Sequence, residues 1–381
     1  MQAVHAFTLA IQAVPALALQ TLLPAWVALS VTAGLWLLTA ARLGLLVEDR
    51  ARPRWVVRLV DEPVFCHWGA CALGMPLLLA GLLLLAALRI VDGSSLDVPV
   101  LLPAARSVAL AAYGLALPFA AWGVWGIWRR LRVRRVQIPV DGLAPQFDGY
   151  RIVQLSDLHI GSFHTVVVGR RWTHAANQAE PDLCVVTGDL LTSGAAFHAD
   201  AAAVLASLSA TDGVFVSLGN HDQADSDLFS NRLLTTGAHV LRNEWQCIRR
   251  GDAALIVAGV DDRYSCRDDL ERTLSGRPPG IPTVLLAHDP AVAAAAAGHG
   301  VALALSGHTH GGQLGVPGMA DIVNLSTVSG QPRSGLRRIS GMWHFINAGL
   351  GTTGPPLRLG VTPEIAVLVL RCDGCNIPPT Q

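Results

Sequence analysis

From Met1 to Ala41 the chain carries no Asp, Glu, Lys or Arg. A helix rises ~1.5 Å per residue, so such a stretch would extend ~60 Å, about twice the ~30 Å hydrocarbon core of a bilayer. Two spans, at about 4–22 and 25–42, fit better than one. Pro24 marks the turn, and Pro15 falls inside the first span, where membrane helices tolerate proline. The alternative, one kinked or re-entrant helix, would reverse the N-terminus without changing the side on which the C-terminal part lies. Two further apolar runs cover about 67–88 and 107–128. The last ends in Trp122, Trp125 and Trp128, residues suited to a membrane–water interface. Composition agrees: 51% of residues are hydrophobic and only 15% charged, against ~25% charged in an average soluble domain. A wholly disordered or strongly charged chain is excluded.

The net charge of zero conceals an asymmetry. Residues 1–136 hold 12 Arg against 6 acidic residues, and residues 137–381 hold 16 Arg against 22. The connection 42–66 contains Arg42, Arg50, Arg52, Arg54 and Arg58, whereas 89–106 contains only Arg89 and Arg106. Arg129, Arg130, Arg132, Arg134 and Arg135 follow the last span. The positive-inside rule therefore predicts a multi-pass inner-membrane protein with 42–66 and everything after 128 in the cytoplasm. A cleaved signal peptide is not expected, because the N-terminus lacks a basic region, and the Arg pairs follow the apolar segment instead of preceding it. Residues 129–136 read as a basic juxtamembrane linker that meets anionic lipid. No nucleic-acid partner is expected, since the domain that follows is acidic. Seven Cys are too sparse for a disulfide scaffold and read as reduced thiols. Cys372 and Cys375 form a CxxC in the tail 372–381, but no second pair supports a metal or redox role.

The domain 137–371 has a different pattern. Short apolar, β-branched runs at Tyr150–Leu155, Leu183–Thr187, Val214–Leu218, Leu255–Val260, Thr283–Ala287 and Val301–Ser306 predict buried strands. Ala-rich segments such as Val166–Ala179, Ala199–Leu208 and Ala291–Ala297 predict helices between them. The alternation indicates an α/β class.

Polar clusters lie where these strands stop. They are Ser156-Asp157-Leu158-His159, Gly188-Asp189, Gly219-Asn220-His221-Asp222, His288, and Gly307-His308-Thr309-His310-Gly311-Gly312. Ligand sites in α/β sheets form at the carboxyl ends of strands, so five such clusters argue for one shared site. With His221 left over, the set is two Asp, one Asn and four His, which suits Mn, Fe or Zn. Seven ligands exceed what one ion takes from protein, and a carboxylate shared between two divalent ions resolves the count. Paired ions clamp phosphoryl oxygens and hold a bridging hydroxide as nucleophile in phosphate ester hydrolysis.

The ordered set DxH, GD, GNHD, H and GHTH resembles the calcineurin-like metallophosphoesterase superfamily, over about residues 137–370. The segments Ile346–Thr352, Pro355-Pro356-Leu357-Arg358 and Pro363-Glu364-Ile365 resemble its bacterial YkuE-like branch, in which members with several N-terminal membrane helices occur. The resemblance implies a metallophosphoesterase β-sandwich flanked by helices, here preceded by an N-terminal bundle of about four transmembrane α-helices in 1–128. It implies that Asp157, His159, Asp189 and His310 hold the first metal. Asp189 would bridge to the second, held also by Asn220, His288 and His308. His221 would stabilise the transition state or protonate the leaving oxygen, and Asp222 would orient that imidazole.

The other eight histidines, His5, His67, His164, His174, His198, His239, His299 and His344, read as core or surface residues. Asp289 is either an outer partner of the site or a cap before Pro290, and Arg358 either a phosphate contact or a structural ion-pair partner. The expected function is a membrane-anchored, two-metal phosphoesterase acting on phosphodiester, phosphomonoester or phosphoanhydride bonds. Its substrate would be a phosphate-ester small molecule or a lipid, with location favouring a lipid-linked one. The alternative is a membrane sensor, transporter or scaffold whose metal-binding domain is regulatory. The spans hold few ionisable groups, which counts against transport, and the presence of His221 and Asp222 counts against a mere metal scaffold.

Overall fold

The computed structural model describes residues 2–46, 50–127, 130–320 and 324–372. The chain separates into two compact units, one of residues 1–47, 52–128 and 354–359, the other of 48–51, 129–353 and 360–381.

Among the described residues of the first unit, four helices are long and apolar enough to cross a bilayer: Gln2–Leu19, Ala25–Leu45, Arg54–Val91 and Val98–Gly126. The first is interrupted at Gln12. The third and fourth begin well before the apolar runs at 67 and 107, because helical hydrogen bonding continues past the edge of an apolar stretch. Each also contains a π-helical turn, at Val57–Asp61 and Trp122–Gly126. Trp128 and Arg129 lie outside the described residues.

Small residues set the spacing of these helices. Ala112, Ala116 and Ala120 recur every four residues on one buried stripe. A Cβ added at Gly69 would lie 3.3 Å from the Ala120 side chain, and one at Gly74 3.4 Å from the Ala112 carbonyl. Lipid offers apolar side chains no reason to leave it, so backbone approach through small residues is what holds membrane helices together. Large apolar groups such as Leu83, Leu84, Val91 and Leu115 point outward instead. Several polar groups of this unit are paired. Asp61 is fully buried, 2.9 Å from Arg52 and 3.3 Å from Arg42. His67 Nδ1 lies 2.9 Å from the Tyr113 hydroxyl. Residues 354–359 belong to this unit: Leu357 sits against Gly69 and Gly123, and the Arg358 N–H donates to the Gly123 carbonyl at 3.2 Å. Arg358 is fully buried there.

The second unit is a pair of six-stranded sheets. The strands are β1 (Arg132–Val140), β2 (Arg151–Leu155), β3 (Leu183–Thr187), β4 (Val214–Ser217), β5 (His239–Val240), β6 (Glu244–Arg250), β7 (Ala253–Gly259), β8 (Thr283–Leu286), β9 (Leu303–Ser306), β10 (Gly335–Ile339), β11 (Met342–Ile346) and β12 (Glu364–Cys372). One sheet has the order β1-β12-β2-β3-β4-β5, the other β10-β11-β9-β8-β7-β6. A single apolar core draws from both, including Ile138, Ile152, Val185, Phe215 and Leu368 from the first and Leu255, Val257, Leu286, Leu305 and Phe345 from the second. The outer faces are covered as well. Helices Val166–Asn177, His198–Leu205 and Ser226–Leu234 connect strands of the first sheet, and Val292–Ala297 packs on the second through Val292, Ala293 and Ala296. Strands buried on both faces read as unbroken apolar runs, which is why β3 shows no alternation and all five of its residues are buried.

The six strands expected from apolar runs form as β2, β3, β4, β7, β8 and β9, and the mixed α/β sandwich matches the expected class. The basic linker expected at 129–136 needs correction: from Arg132 onward it is β1, paired in parallel with β12 over its whole length. Its first half is exposed and Arg-rich, and only Val136, Ile138 and Val140 face the core, so the strand carries an apolar signal over half its length.

The small-residue stripe generates a prediction. Ala112→Leu is expected to overpack the helix interface and cost about 1–3 kcal/mol. Leu115→Ala, on the outward face, is expected to leave stability unchanged. Unfolding of the purified protein in mixed micelles measures both, and an Ala112→Leu variant as stable as the parent would refute the packing role of the stripe.

Candidate metal centre

β2, β3 and β4 run parallel in the first sheet, and β8 and β9 in the second. The polar clusters that follow these five strands meet at one place. The chain there adopts conformations that side chains resist. Asp157, His159, Asp189, His308 and His310 all have left-handed backbones, with φ of 52°, 46°, 52°, 68° and 51°. Each such residue costs of order 1–3 kcal/mol and persists only where the surroundings over-determine it. Here cross-strand hydrogen bonds do so. The Asp157 N–H donates to Gly188, the His159 N–H to the Asp189 carbonyl, and the His308 N–H to both Asp157 carboxylate oxygens at 3.0 and 3.1 Å. Glycine is required where the loops touch. A Cβ at Gly219 would overlap the Asp189 carboxylate, and one at Gly307 the Ser156 hydroxyl and the Asp157 carboxylate.

Among the described residues two groups of donor atoms result, each within 4.8 Å. Asp157, His159, Asp189 and His310 make the first; Asp189, His288 and His308 make the second. Asp189 Oδ2 faces both, 3.6 Å from His159 Nε2 and 3.2 Å from His288 Nε2. His159 Nε2 faces His310 Nε2 at 3.1 Å, and His308 Nδ1 faces His288 Nε2 at 3.2 Å. His310 Nε2 is 3.3 Å from Asp157 Oδ1. Asn220 follows β4 in the turn Asn220–Asp222, and its side-chain oxygen is buried with no hydrogen-bond partner. A buried acceptor left without a donor is costly. That orphaned oxygen, on the residue before the His221 N–H that donates to Asp189, together with the convergent imidazole nitrogens and carboxylate oxygens, fits a site for divalent cations.

The electrostatics point the same way. Burial would raise the Asp189 carboxyl, but His288, His221 and His159 hold it well below the usual range, so it stays ionised. Burial pushes His159 well below the imidazole range and also lowers His308. Burial would lower His288 too, yet the Asp189 charge raises it to about 10. Proton and cation therefore compete for the same His288 nitrogen.

His221 stands apart from both groups. Its N–H donates to Asp189 Oδ1 at 2.9 Å, and its Nδ1 lies 2.5 Å from the Thr192 carbonyl. A carbonyl only accepts, so Nδ1 carries the hydrogen and Nε2 keeps a lone pair. Here the sequence expectation for Asp222 fails. Its carboxylate accepts from the Leu191 N–H at 3.0 Å and the Gly219 N–H at 2.9 Å and does not orient the His221 imidazole. It is fully buried and clamps the turn, and its pKa is raised by burial and by Asp189. Asp289 accepts from the Ala291 N–H at 2.8 Å and pairs with Arg263 at 2.9 Å.

Sequence reasoning missed three partners. The Thr187 carbonyl lies 2.8 Å from His288 Nδ1, the Thr192 carbonyl holds His221, and the Tyr264 hydroxyl lies 3.0 Å from His308 Nε2. Two are main-chain atoms, which any residue type would supply, so no motif marks them. The six described cysteines are free thiols, and Cys375 lies outside the described residues.

Comparison with known proteins gives the family. Residues 150–312 match the family model for calcineurin-like phosphoesterase. The chain is 33% identical over 236 residues to the uncharacterized metallophosphoesterase YkuE of Bacillus subtilis, covering 59% of this chain and 80% of that protein. It is 34% identical over 272 residues to the bovine (Bos taurus) transmembrane protein with metallophosphoesterase domain, covering 63% of this chain and 57% of that one. It is 30% identical over 253 residues to an uncharacterized metallophosphoesterase of Aquifex aeolicus, covering 64% and 93%. The chain belongs to the calcineurin-like phosphoesterase family and is a metal-dependent phosphoesterase.

Proposed function

We propose that this chain is a membrane-anchored phosphoesterase with its catalytic domain in the cytoplasm, hydrolysing phosphodiester, phosphomonoester or phosphoanhydride bonds with two divalent ions. The observation that carries the reading is the position of Asp189 Oδ2 between the two donor groups. Asp157, His159 and His310 would complete one ion's ligands, and Asn220, His288 and His308 the other's. Mn, Fe or Zn suits this donor set. When bound, the ions supply Lewis acidity to the phosphoryl oxygens and lower the pKa of water. The chain's own residues do the rest. His221, with Nδ1–H held by Thr192, would receive a proton from water on Nε2 and pass it on to the leaving oxygen. Asp222 keeps the Gly219–Asp222 turn closed so that the His221 N–H stays on Asp189. The four candidate spans and the Arg-rich 42–66 and 129–135 support a substrate reached at the cytoplasmic leaflet, which favours a lipid-linked phosphoester.

Hydrolysis by the purified full-length protein tests the reading, with bis-p-nitrophenyl phosphate and p-nitrophenyl phosphate compared with and without manganese. Asp189→Asn is expected to reduce bound metal to at most one ion per chain. Turnover should fall by more than the ~10–100-fold that loss of an outer partner costs. Near-normal values for both would remove the shared carboxylate. His221→Ala is expected to keep its metal and lose ~10²–10⁴-fold in turnover, as loss of an acid–base group does. Loss of metal instead would make His221 a ligand. An alkaline phosphatase fused at the C-terminus is expected to be inactive in cells, and an active fusion would place the domain on the other side of the membrane.

A further inference from the structure

The two ring nitrogens of His308 have different surroundings. Nδ1 lies 3.2 Å from His288 Nε2, inside the second donor group, and Nε2 lies 3.0 Å from the Tyr264 hydroxyl. An imidazole that offers a lone pair from Nδ1 carries its hydrogen on Nε2. That hydrogen needs an acceptor, and Tyr264 Oη is placed to be one. Histidines that bind metal depend on such an outer partner for tautomer and ring orientation.

Tyr264 is held in place with care. Its N–H donates to the buried Asp262 carboxylate at 3.2 Å, and the Ser265 N–H donates to the other oxygen at 2.8 Å. Arg263 pairs at 2.9 Å with Asp289, the residue after His288. Asp261, before the turn, pairs with Arg242 at 2.8 Å. Packing alone does not call for an aromatic residue at 264, because the side chain is 58% exposed. Its ring lies against the His308 ring, 4.9 Å between centroids. The contrast with His288 is informative. That ring is held by a strand carbonyl, which mutation cannot remove, whereas His308 is reached by a side chain on a surface turn.

We propose that Tyr264 is the positioning residue of His308: its hydroxyl accepts the Nε2 hydrogen, keeps Nδ1 facing Asp189 and His288, and so sets the affinity of the second metal site. The proposal rests on the two-ion reading given above. It deepens that reading by naming the side chain that distinguishes the second ion from the first.

The test uses full-length protein in detergent, stripped with chelator and titrated with Mn²⁺. Calorimetry counts the ions, and electron paramagnetic resonance detects the spin-coupled pair. Tyr264→Phe keeps the ring and loses the acceptor. The first equivalent is expected to bind as in the parent and the second ~10–100-fold more weakly, the cost typical of an outer partner. The spin-coupled signal should then be lost at Mn²⁺ concentrations that saturate the parent. The stripped variant should melt at the parent temperature, since the side chain is exposed. Unchanged affinity for the second ion would overturn the proposal, and so would equal weakening of both ions. Failure of the underlying reading looks different: the parent would bind no second Mn²⁺, or His308→Ala would bind it as tightly as the parent.

Discussion

A buried carboxylate that must remain charged organises the catalytic domain. Asp189 is 2% exposed, and removing a carboxylate from water costs several kcal/mol unless partners repay it. Its partners come from three other loops. The His221 N–H reaches Oδ1, while His159 and His288 face Oδ2. Each loop follows a different strand, so the carboxylate is satisfied only when both sheets are in register. The same arrangement gathers the remaining donors, because His308 and His310 follow β9, which neighbours β8 and its His288.

Bringing five loops to one point requires conformations that the chain would otherwise avoid. Five residues of the donor groups have left-handed backbones, and the loops approach so closely that Gly219 and Gly307 leave no space for a side chain. Strain of that kind needs a stiff frame. The frame is the double-sided burial of the central strands, with apolar contacts between the sheets and against the outer helices. A Gln154 bridge adds to it, since its amide donates to Thr187 in the first sheet and to the Ser306 carbonyl in the second. Stability and function here draw on different residues: core side chains supply the one, and strained polar loops spend part of it on the other.

The helical unit obeys another rule, because its outer solvent is apolar. Large residues such as Leu83 and Leu115 face outward, and Gly69, Gly74 and the Ala112–Ala116–Ala120 stripe face inward. Phe65 and Ile11 are buried here too, but the closest approaches between helices run through glycine and alanine. Buried polar groups in this unit meet side chains, as Asp61 meets Arg42 and Arg52, or the helix's own carbonyls, as the Thr32 hydroxyl meets Ala28.

Local patterns account for what could be read from the residues. The uncharged stretch to Ala41, the apolar runs that became β2, β3, β4, β7, β8 and β9, and the polar clusters after them all have short-range signatures. The candidate donors were legible because Asp, Asn and His recur at strand ends in the order of a known family. Other features have no such signature. β1 was missed because its Arg-rich half resembles a membrane flank, and its pairing partner β12 lies more than two hundred positions away. The family resemblance made Asp222 the partner of the His221 imidazole, yet its carboxylate turns to the backbone of Leu191 and Gly219. The His308 N–H finds Asp157 across 151 positions, and Tyr264 reaches His308 across 44. Residue type and order are enough to choose the class of fold and the chemistry of the donors, since those depend on periodicity and side-chain type. The partner of each polar atom depends on directional hydrogen bonds between segments remote in sequence, and those directions exist only once both sheets have closed.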